Sequence, residues 1–215
     1  MRRAALILAV AILGGLLGRI SAPAGAAPQA AAPSPAPSRQ VAGVAVGYPH
    51  TRAGAALAVA RYQQAFADVA ILRPGVLRAR IAAVATPDFA ATMLEANAPG
   101  TERLAAGSLG AGVRRGIATL YAGVPVGYRV LAYSPARARI LTWGLTLLGN
   151  ASALEPAAYW GVARTELVWQ SGDWKIASTK ASFGPTPRPA TPRGPSDGYR
   201  VIDLARRLQS YGVAP

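Results

Sequence analysis

Two proline-rich stretches limit what this chain can fold into. Five of the 18 prolines lie in residues 21–40, and five more lie in residues 184–198. Segments rich in proline and alanine favour extended, semi-rigid conformations and bury too little apolar surface to form a core. We therefore predict linkers at 21–40 and 184–198, with one compact domain over residues 41–183, a length that suffices for a single hydrophobic core.

The N-terminal end carries an unbroken apolar run over residues 4–18, directly after a pair of arginines. This run is short for a spanning helix, which usually needs about 20 residues. Residues 1–20 are predicted to be either a retained single-pass anchor, in contact with the membrane through residues 4–20, or a signal segment cleaved at Ala24-Gly25-Ala26. Both interpretations place the following domain outside the cytoplasm. We favour the retained anchor, with secretion after cleavage as the alternative.

Composition excludes several classes of site. The formal net charge is +14, but all basic residues other than Lys175 and Lys180 are arginine. Because this bias accompanies a high content of alanine, glycine and proline, we attribute it to the base composition of the genome and predict no specific nucleic-acid binding. The chain has no cysteine and a single histidine, His50. Disulfides, cysteine-ligated metals and histidine-rich metal sites are thereby excluded, and we predict neither a metal nor another cofactor.

The first half of the domain has helical patterns. Thr51 is a good N-cap for a helix from Arg52 to about Asp68. Thr86-Pro87-Asp88 predicts the start of a second helix, because proline is tolerated in the first turn. A third helix is predicted over residues 99–120, although its glycines weaken it. Gly123-Val124-Pro125 is predicted to end the helical half.

The second half is predicted to form four strands, at 126–133, 139–148, 158–170 and 174–182. Short turns separate the first two and the last two, and a loop joins the second to the third. Their alternation places the large apolar residues of the second strand on one side: Leu141, Trp143, Leu145 and Leu147. Helices followed by an antiparallel meander predict an α+β fold, in which N-terminal helices pack on a curved four-stranded antiparallel sheet, preceded by the N-terminal membrane helix.

The last predicted hairpin carries a glycine-aspartate turn followed by tryptophan, lysine and isoleucine (Gly172 to Ile176). This pattern resembles the final hairpin of the nuclear-transport-factor-2-like (cystatin-like) cone fold. The resemblance implies a cone-like domain. It does not imply an activity, because that fold carries many unrelated functions.

The order of segments adds to the resemblance. A short cytoplasmic end, one membrane segment, a linker and an exported cone-like domain are similar to the bitopic subunits of type IV secretion and conjugation machines. Residues 46–54, 123–135 and 160–174 are also similar to actinobacterial conjugation-associated membrane proteins. This likeness implies a non-enzymatic scaffold subunit of a cell-envelope complex, with other envelope subunits as its partners and self-association as a further possibility.

Candidate catalytic residues are few. We find no nucleophile, metal-ligand or phosphate-binding motif. Asp68 is the one carboxylate that ends an apolar helix, and His50 is expected in a turn or cap. We therefore predict no enzyme activity. A secreted or anchored ligand-binding cone domain is the alternative, and a cone-fold enzyme is less favoured. The face that would bind a partner or ligand is predicted to contain Tyr128, Trp143, Tyr159 and Trp160.

The C-terminal residues 199–215 are predicted to form an amphipathic helix, because apolar residues recur at helical spacing in 199–211. This helix would dock either on its own sheet or on a neighbouring subunit. The proline-rich spacer before it favours the neighbour.

Overall fold

A computed structural model describes residues 36–152 and 154–187. The predicted anchor or signal segment, 1–20, and the predicted C-terminal helix, 199–215, lie outside the described residues, as do most of the two proline-rich linkers. Within the described part of the chain, no helix has both the length and the apolar character needed to cross a membrane.

The described chain starts with a two-stranded hairpin, continues through four α-helices and ends in a four-stranded sheet. A short 3-10 helix, Val69–Leu72, separates the first two α-helices. The elements are β1 (Arg39–Val41), β2 (Val44–Val46), α1 (Arg52–Phe66), α2 (Val76–Val84), α3 (Pro87–Ala106), α4 (Ser108–Arg114), β3 (Thr119–Tyr133), β4 (Arg137–Asn150), β5 (Leu154–Gln170) and β6 (Asp173–Phe183).

The large sheet is an antiparallel meander in the order β3-β4-β5-β6. Helices therefore precede a four-stranded antiparallel sheet, which confirms the predicted α+β class. The start of α1 is also as predicted, since the Thr51 hydroxyl accepts a hydrogen bond from the Gly54 N–H at 3.0 Å. Pro87 begins α3 after Thr86, in the first turn where its missing N–H costs nothing.

The prediction of a helix over residues 99–120 is wrong. Pro99 lies inside α3, which ends at Ala106. Gly107 then adopts an extended backbone, with φ of −80° and ψ of −165°, and α4 begins after it. Residues from Thr119 onward are strand. The break lies at Gly107, where the backbone leaves the helical region and separates two helices that the apolar pattern alone does not separate.

The prediction that Gly123-Val124-Pro125 ends the helical half is also wrong, because all three residues lie inside β3. Proline is tolerated there since β3 is an edge strand, and the register shifts between Pro125 and Gly127. Two further elements, α2 and the hairpin β1–β2, carry no clear sequence signal. The hairpin begins at Arg39, two residues before the predicted domain boundary.

Both edges of the sheet are contacted by segments that connect helices. On the β3 side, the Gly123 N–H donates to the Ala67 carbonyl at 3.0 Å, beside a bridge between Asp68 and Ala122. On the β6 side, the Thr86 N–H donates to the Ile176 carbonyl at 2.9 Å. These bonds satisfy part of each edge, which lowers the tendency of the sheet to pair with another chain.

The helices lie against one side of the sheet, which we call the inner face. In β4 this face carries Ala138, Ile140 and Thr142, all buried. The inner face and the helices enclose a core that also takes in β2 and Trp174. The larger apolar residues of β4 lie on the opposite side, the outer face, because side chains alternate along a strand.

A candidate interaction surface on the outer face of the sheet

The outer face carries apolar side chains on three neighbouring strands. In β4 they are Leu141, Trp143, Leu145 and Leu147, and the strand register places the other members beside them. On β3 the aligned residues are Leu120, Ala122 and Val124, and on β5 they are Ala158, Trp160 and Val162. Leu120 and Val124 are 44% and 39% exposed.

Two tryptophans occupy the centre of this surface. The indoles of Trp143 and Trp160 stack with centroids 4.7 Å apart and ring planes at 29°. Trp143 is only 4% exposed. Its indole N–H donates to the Pro185 carbonyl at 3.1 Å, and the Gly184 N–H donates to the Trp160 carbonyl at 2.8 Å. The chain that follows β6 therefore reaches from the sheet edge to a side chain of β4.

Charged side chains mark one end of the outer face. Arg139 of β4 forms an ion pair with Glu166 of β5, with Nε and Oε1 2.8 Å apart. The register places Arg164 and Lys180 next to this pair. Because both partners of the pair are exposed, it contributes only about 0–1 kcal/mol to stability. The apolar surface thus has a hydrated, basic border on one side.

The four residues predicted for the partner face do not lie on one face. Trp143 and Trp160 are together on the outer face. Tyr128 is paired with Thr142 and packs against the core, on the inner side. Tyr159 precedes Trp160 in β5, so it points to the opposite side of the sheet, where it is 48% exposed.

A buried polar cluster lies at the turn between β5 and β6. Asp173 is fully buried, although its position in a turn predicts exposure. Its carboxylate accepts hydrogen bonds from the backbone N–H groups of Tyr48, at 3.2 Å, and Trp174, at 2.9 Å. The Lys175 ammonium lies 3.2 Å from the same carboxylate and donates to the Ala83 carbonyl at 2.6 Å. Asp173 therefore joins the turn to the segment before α1.

Two tyrosines complete this cluster. The Tyr62 hydroxyl donates to the Trp174 carbonyl at 2.9 Å, and the rings of Tyr48 and Tyr62 meet edge to face at 5.9 Å. Among the described residues, the buried Tyr48 hydroxyl has no hydrogen-bond partner. Burial raises the pKa of Tyr48 to about 12, and burial together with the nearby Asp173 carboxylate raises the pKa of Tyr62 still further.

His50 has a packing position. Its imidazole stacks on Trp169, with centroids 4.0 Å apart and planes at 9°, and its Nε2 is hydrogen-bonded to the Pro135 carbonyl. The neighbouring Pro49 carbonyl accepts a hydrogen bond from the Trp174 indole at 3.0 Å. These contacts connect the loop before α1 to the turn between β3 and β4.

Asp68 supports a buried arginine. Its Oδ1 accepts from the Ala70 N–H at 2.8 Å, which caps the 3-10 helix, and lies 3.2 Å from Nη2 of Arg80. The Arg80 side chain is buried and also donates to the carbonyls of Ala42 and Ala65. Both contacts of this one Asp68 oxygen are therefore structural.

Comparison with known protein families gives one match, which spans residues 24–199 and is described as a Domain of unknown function (DUF8175). The chain belongs to this family. The matched region contains the whole part of the chain that the structure describes, and so it contains the outer face and both polar clusters. No curated protein and no solved structure matches the chain.

The family domain also has an open pocket of about 470 Å³ where α3 begins. Phe89 and Trp169 provide aromatic walls, and Asp88 and Arg137 supply opposite charges. Its remaining lining residues are Thr86, Pro87, Val168, Gln170 and Ala177. In the part of the chain described by the structure, no three histidine, aspartate or glutamate residues are grouped so that they could hold a metal ion.

Proposed function

We propose that this protein is a non-enzymatic assembly subunit of a cell-envelope conjugation or secretion complex. Residues 1–20 anchor the chain in the membrane as a single-pass segment. The linker over 21–40 holds the domain away from the bilayer on the extracytoplasmic side. The domain itself presents the outer face of its sheet to other envelope subunits.

The observation that carries this proposal is the apolar outer face. Helices pack on the inner face, whereas apolar side chains on β3, β4 and β5 form a continuous surface on the other side, with Leu120 and Val124 substantially exposed. An apolar surface with a charged border is typical of protein–protein interfaces. Trp160, which stacks on the buried Trp143, adds a partly exposed aromatic side chain of the kind that anchors such interfaces.

The occupied carboxylates support a non-enzymatic role. An acid or base catalyst needs a carboxyl group that a substrate can reach. Asp173 is fully buried and bonded to backbone and lysine. Asp68 is partly exposed, but its carboxylate caps a 3-10 helix and pairs with Arg80. Neither lines the open pocket beside α3, where the carboxylate is that of Asp88.

Strand irregularities support a cone-like arrangement of the sheet. The register shifts twice in β3, between Pro125 and Gly127 and between Val130 and Ala132. It shifts once in β6, where Ala177 is the extra residue opposite Glu166 and Leu167, and once more between β4 and β5, at Leu148 and Asn150. Each bulge bends its strand and increases the local twist. Long strands that bend at several points wrap around helices packed on their inner face, as the cone fold requires.

The pocket beside α3 favours a second candidate function, the binding of a small ligand. Its aromatic walls and its two opposite charges, Asp88 and Arg137, suit a ligand that has a flat apolar part and a polar group. We rank this candidate below assembly because the pocket is open to solvent, so it would bury less of a ligand than an enclosed site.

Crosslinking from a single position on the outer face tests the assembly proposal. The natural chain lacks cysteine, so Val124→Cys provides one attachment point for a photoactivatable reagent in intact cells. We expect crosslinks to integral or peripheral envelope proteins, identified by mass spectrometry, and recovery of the chain in the membrane fraction after a high-pH wash.

Glu102→Cys is the matched control, because Glu102 is exposed on α3 and away from the sheet. It should give at most weak crosslinks to the same proteins. Crosslinks of equal strength from both positions, or a chain found wholly in the soluble fraction without envelope partners, would contradict the proposal. Specific labelling of the pocket by a small molecule would favour the second candidate.

A further inference from the structure

We infer that residues 199–211 of this same chain dock as an amphipathic helix on the outer face, over β4 and β5. The first ligand of the candidate interaction surface is therefore its own C-terminal segment. This inference does not depend on the proposed function, because it concerns a contact within one chain and holds whatever partner binds the rest of the surface.

The path of the chain after β6 is the first argument. Strand β6 ends at Phe183 on the edge of the sheet. Gly184 then bonds to the Trp160 carbonyl, and the Pro185 carbonyl accepts from the Trp143 indole. Pro185 and Pro187 are half-buried. The chain thus continues towards the middle of the outer face, and residues 188–215 begin from there.

The sequence of the C-terminal segment is the second argument. Residues 199–211, YRVIDLARRLQSY, have apolar side chains at helical spacing and polar ones between them. The apolar set is Val201, Ile202, Leu204, Ala205 and Leu208, and the polar set includes Arg200, Arg206, Arg207 and Gln209. A helix of this kind needs an apolar surface, since a helix of about 13 residues is only marginally stable by itself in water.

The dimensions of the two surfaces match. A helix of 13 residues is roughly 20 Å long and about 10 Å wide. Strands lie about 4.8 Å apart, so one helix covers about two of them. Placed where Pro185 directs the chain, it covers the partly exposed Trp160 and Leu145, next to the buried Trp143. The apolar residues of β3, Leu120 and Val124, stay accessible to another protein.

Tethering favours the same chain over a second copy, in contrast to the docking on a neighbouring subunit that the sequence favoured. The spacer over residues 188–198 spans up to roughly 34 Å if extended at about 3.1 Å per residue, which is enough to reach β4 from Pro187. A short tether gives its segment an effective concentration on the order of millimolar. At micromolar protein concentration, the segment of another molecule is far more dilute than the tethered segment and competes poorly for the same surface.

Engineered cysteine pairs test the contact. We would purify the full-length chain in mild detergent at low micromolar concentration and oxidise it gently. Three double variants are compared, each with Leu204→Cys: the second substitution is Leu145→Cys, Ala158→Cys or, as the control, Glu102→Cys. Leu145 and Ala158 lie on the outer face, Leu204 is central in the segment, and Glu102 is on α3. Circular dichroism checks that each variant is folded.

We expect an intramolecular disulfide in at least one outer-face pair, formed about tenfold faster or more than in the control pair, because docking raises the local thiol concentration above that of a free tether. The product is a monomer on a non-reducing gel. Equal rates in all three variants, or disulfide-linked dimers in place of monomers, would overturn the inference. The test uses the isolated chain, so a failure of the envelope proposal leaves its result unchanged.

Discussion

At the scale of single residues, the most consequential side chains lie where the turn between β5 and β6 meets the segment before α1. Asp173 has a buried carboxylate with backbone and lysine partners, and Tyr62 bonds to the backbone of β6. A charge buried in this way is tolerated because it is paired and hydrogen-bonded. These residues hold the two ends of the folded region together, so their role is one of stability.

The two buried tyrosines should respond in opposite ways to loss of the hydroxyl group. Tyr62→Phe removes the hydrogen bond to the Trp174 carbonyl and should lower the free energy of unfolding by about 1 kcal/mol. Tyr48→Phe removes a buried hydroxyl that has no partner among the described residues, so stability should stay the same or rise by up to about 1 kcal/mol. Urea unfolding measures both. Equal losses in the two variants would contradict the described difference in bonding.

At the scale of elements, the break between α3 and α4 depends on glycine. A Cβ atom on Gly110 would lie 2.0 Å from the Ala105 carbonyl oxygen, which belongs to the preceding helix. The two helices therefore approach each other too closely for any side chain at this position. Gly100, inside α3, has open space around the same virtual atom. Both glycines lie in helices, but only Gly110 is required by the packing; a Cβ atom fits at Gly100.

Substitution of each glycine by alanine should change the stability of the domain in opposite directions. Gly110→Ala forces α4 away from α3 and should destabilise the domain by about 2 kcal/mol or more, as overpacking typically does. Gly100→Ala should stabilise it by roughly 0.5–1 kcal/mol, because alanine loses less backbone entropy in a helix. Thermal or urea unfolding of the two variants checks the signs. A stabilised Gly110→Ala variant would show that α4 does not pack on α3 as described.

At the scale of the whole molecule, burial of tyrosines makes stability depend on pH in the alkaline range. The pKa of Tyr48 is raised from its usual 10.0 to about 12, and burial also raises the pKa of Tyr62 and Tyr121. The folded state therefore retains protons that the unfolded chain releases from about pH 10 upward. The stability contributed by these groups is complete below the unfolded pKa and is lost as the pH rises through the folded values.

We expect the urea midpoint to be nearly constant just below pH 10 and to fall progressively above it. Tyrosinate absorbance should rise in the same range as unfolding exposes the rings. The Tyr48→Phe variant should lose less stability over this interval than the natural chain, because one of the linked groups is gone. A midpoint that stays constant up to pH 12 in both proteins would contradict the burial of these hydroxyls.

Much of the fold follows from local patterns. The Thr51 cap, the proline that begins α3 and the alternation of the four strands are signals carried within a few residues, and each predicts an element that is present. Local patterns do not predict the elements that depend on contacts between residues distant in sequence, such as α2. Helix α2 contains Arg80, which breaks the apolar pattern and is buried because Asp68 and two carbonyls lie around it.

The candidate site, like the fold, is predicted only in part by local sequence patterns. Alternation alone shows that Trp143 lies on the same side as Leu145, and that Tyr159 and Trp160 point to opposite sides. It does not show which side the helices cover, because both sides of β4 carry apolar residues. Likewise, the turn position of Asp173 gives no sign of its burial, which depends on Tyr48 more than a hundred residues earlier.

Composition and spacing within single segments are enough to give the α+β class, the four strands of the meander and the absence of cysteine chemistry. The folded chain is needed to show which face of the sheet stays exposed, that Asp173 is buried, and that the chain after β6 turns towards Trp143. Those features come from contacts between distant segments, whose free energy depends on three-dimensional packing and leaves no periodic pattern in the chain.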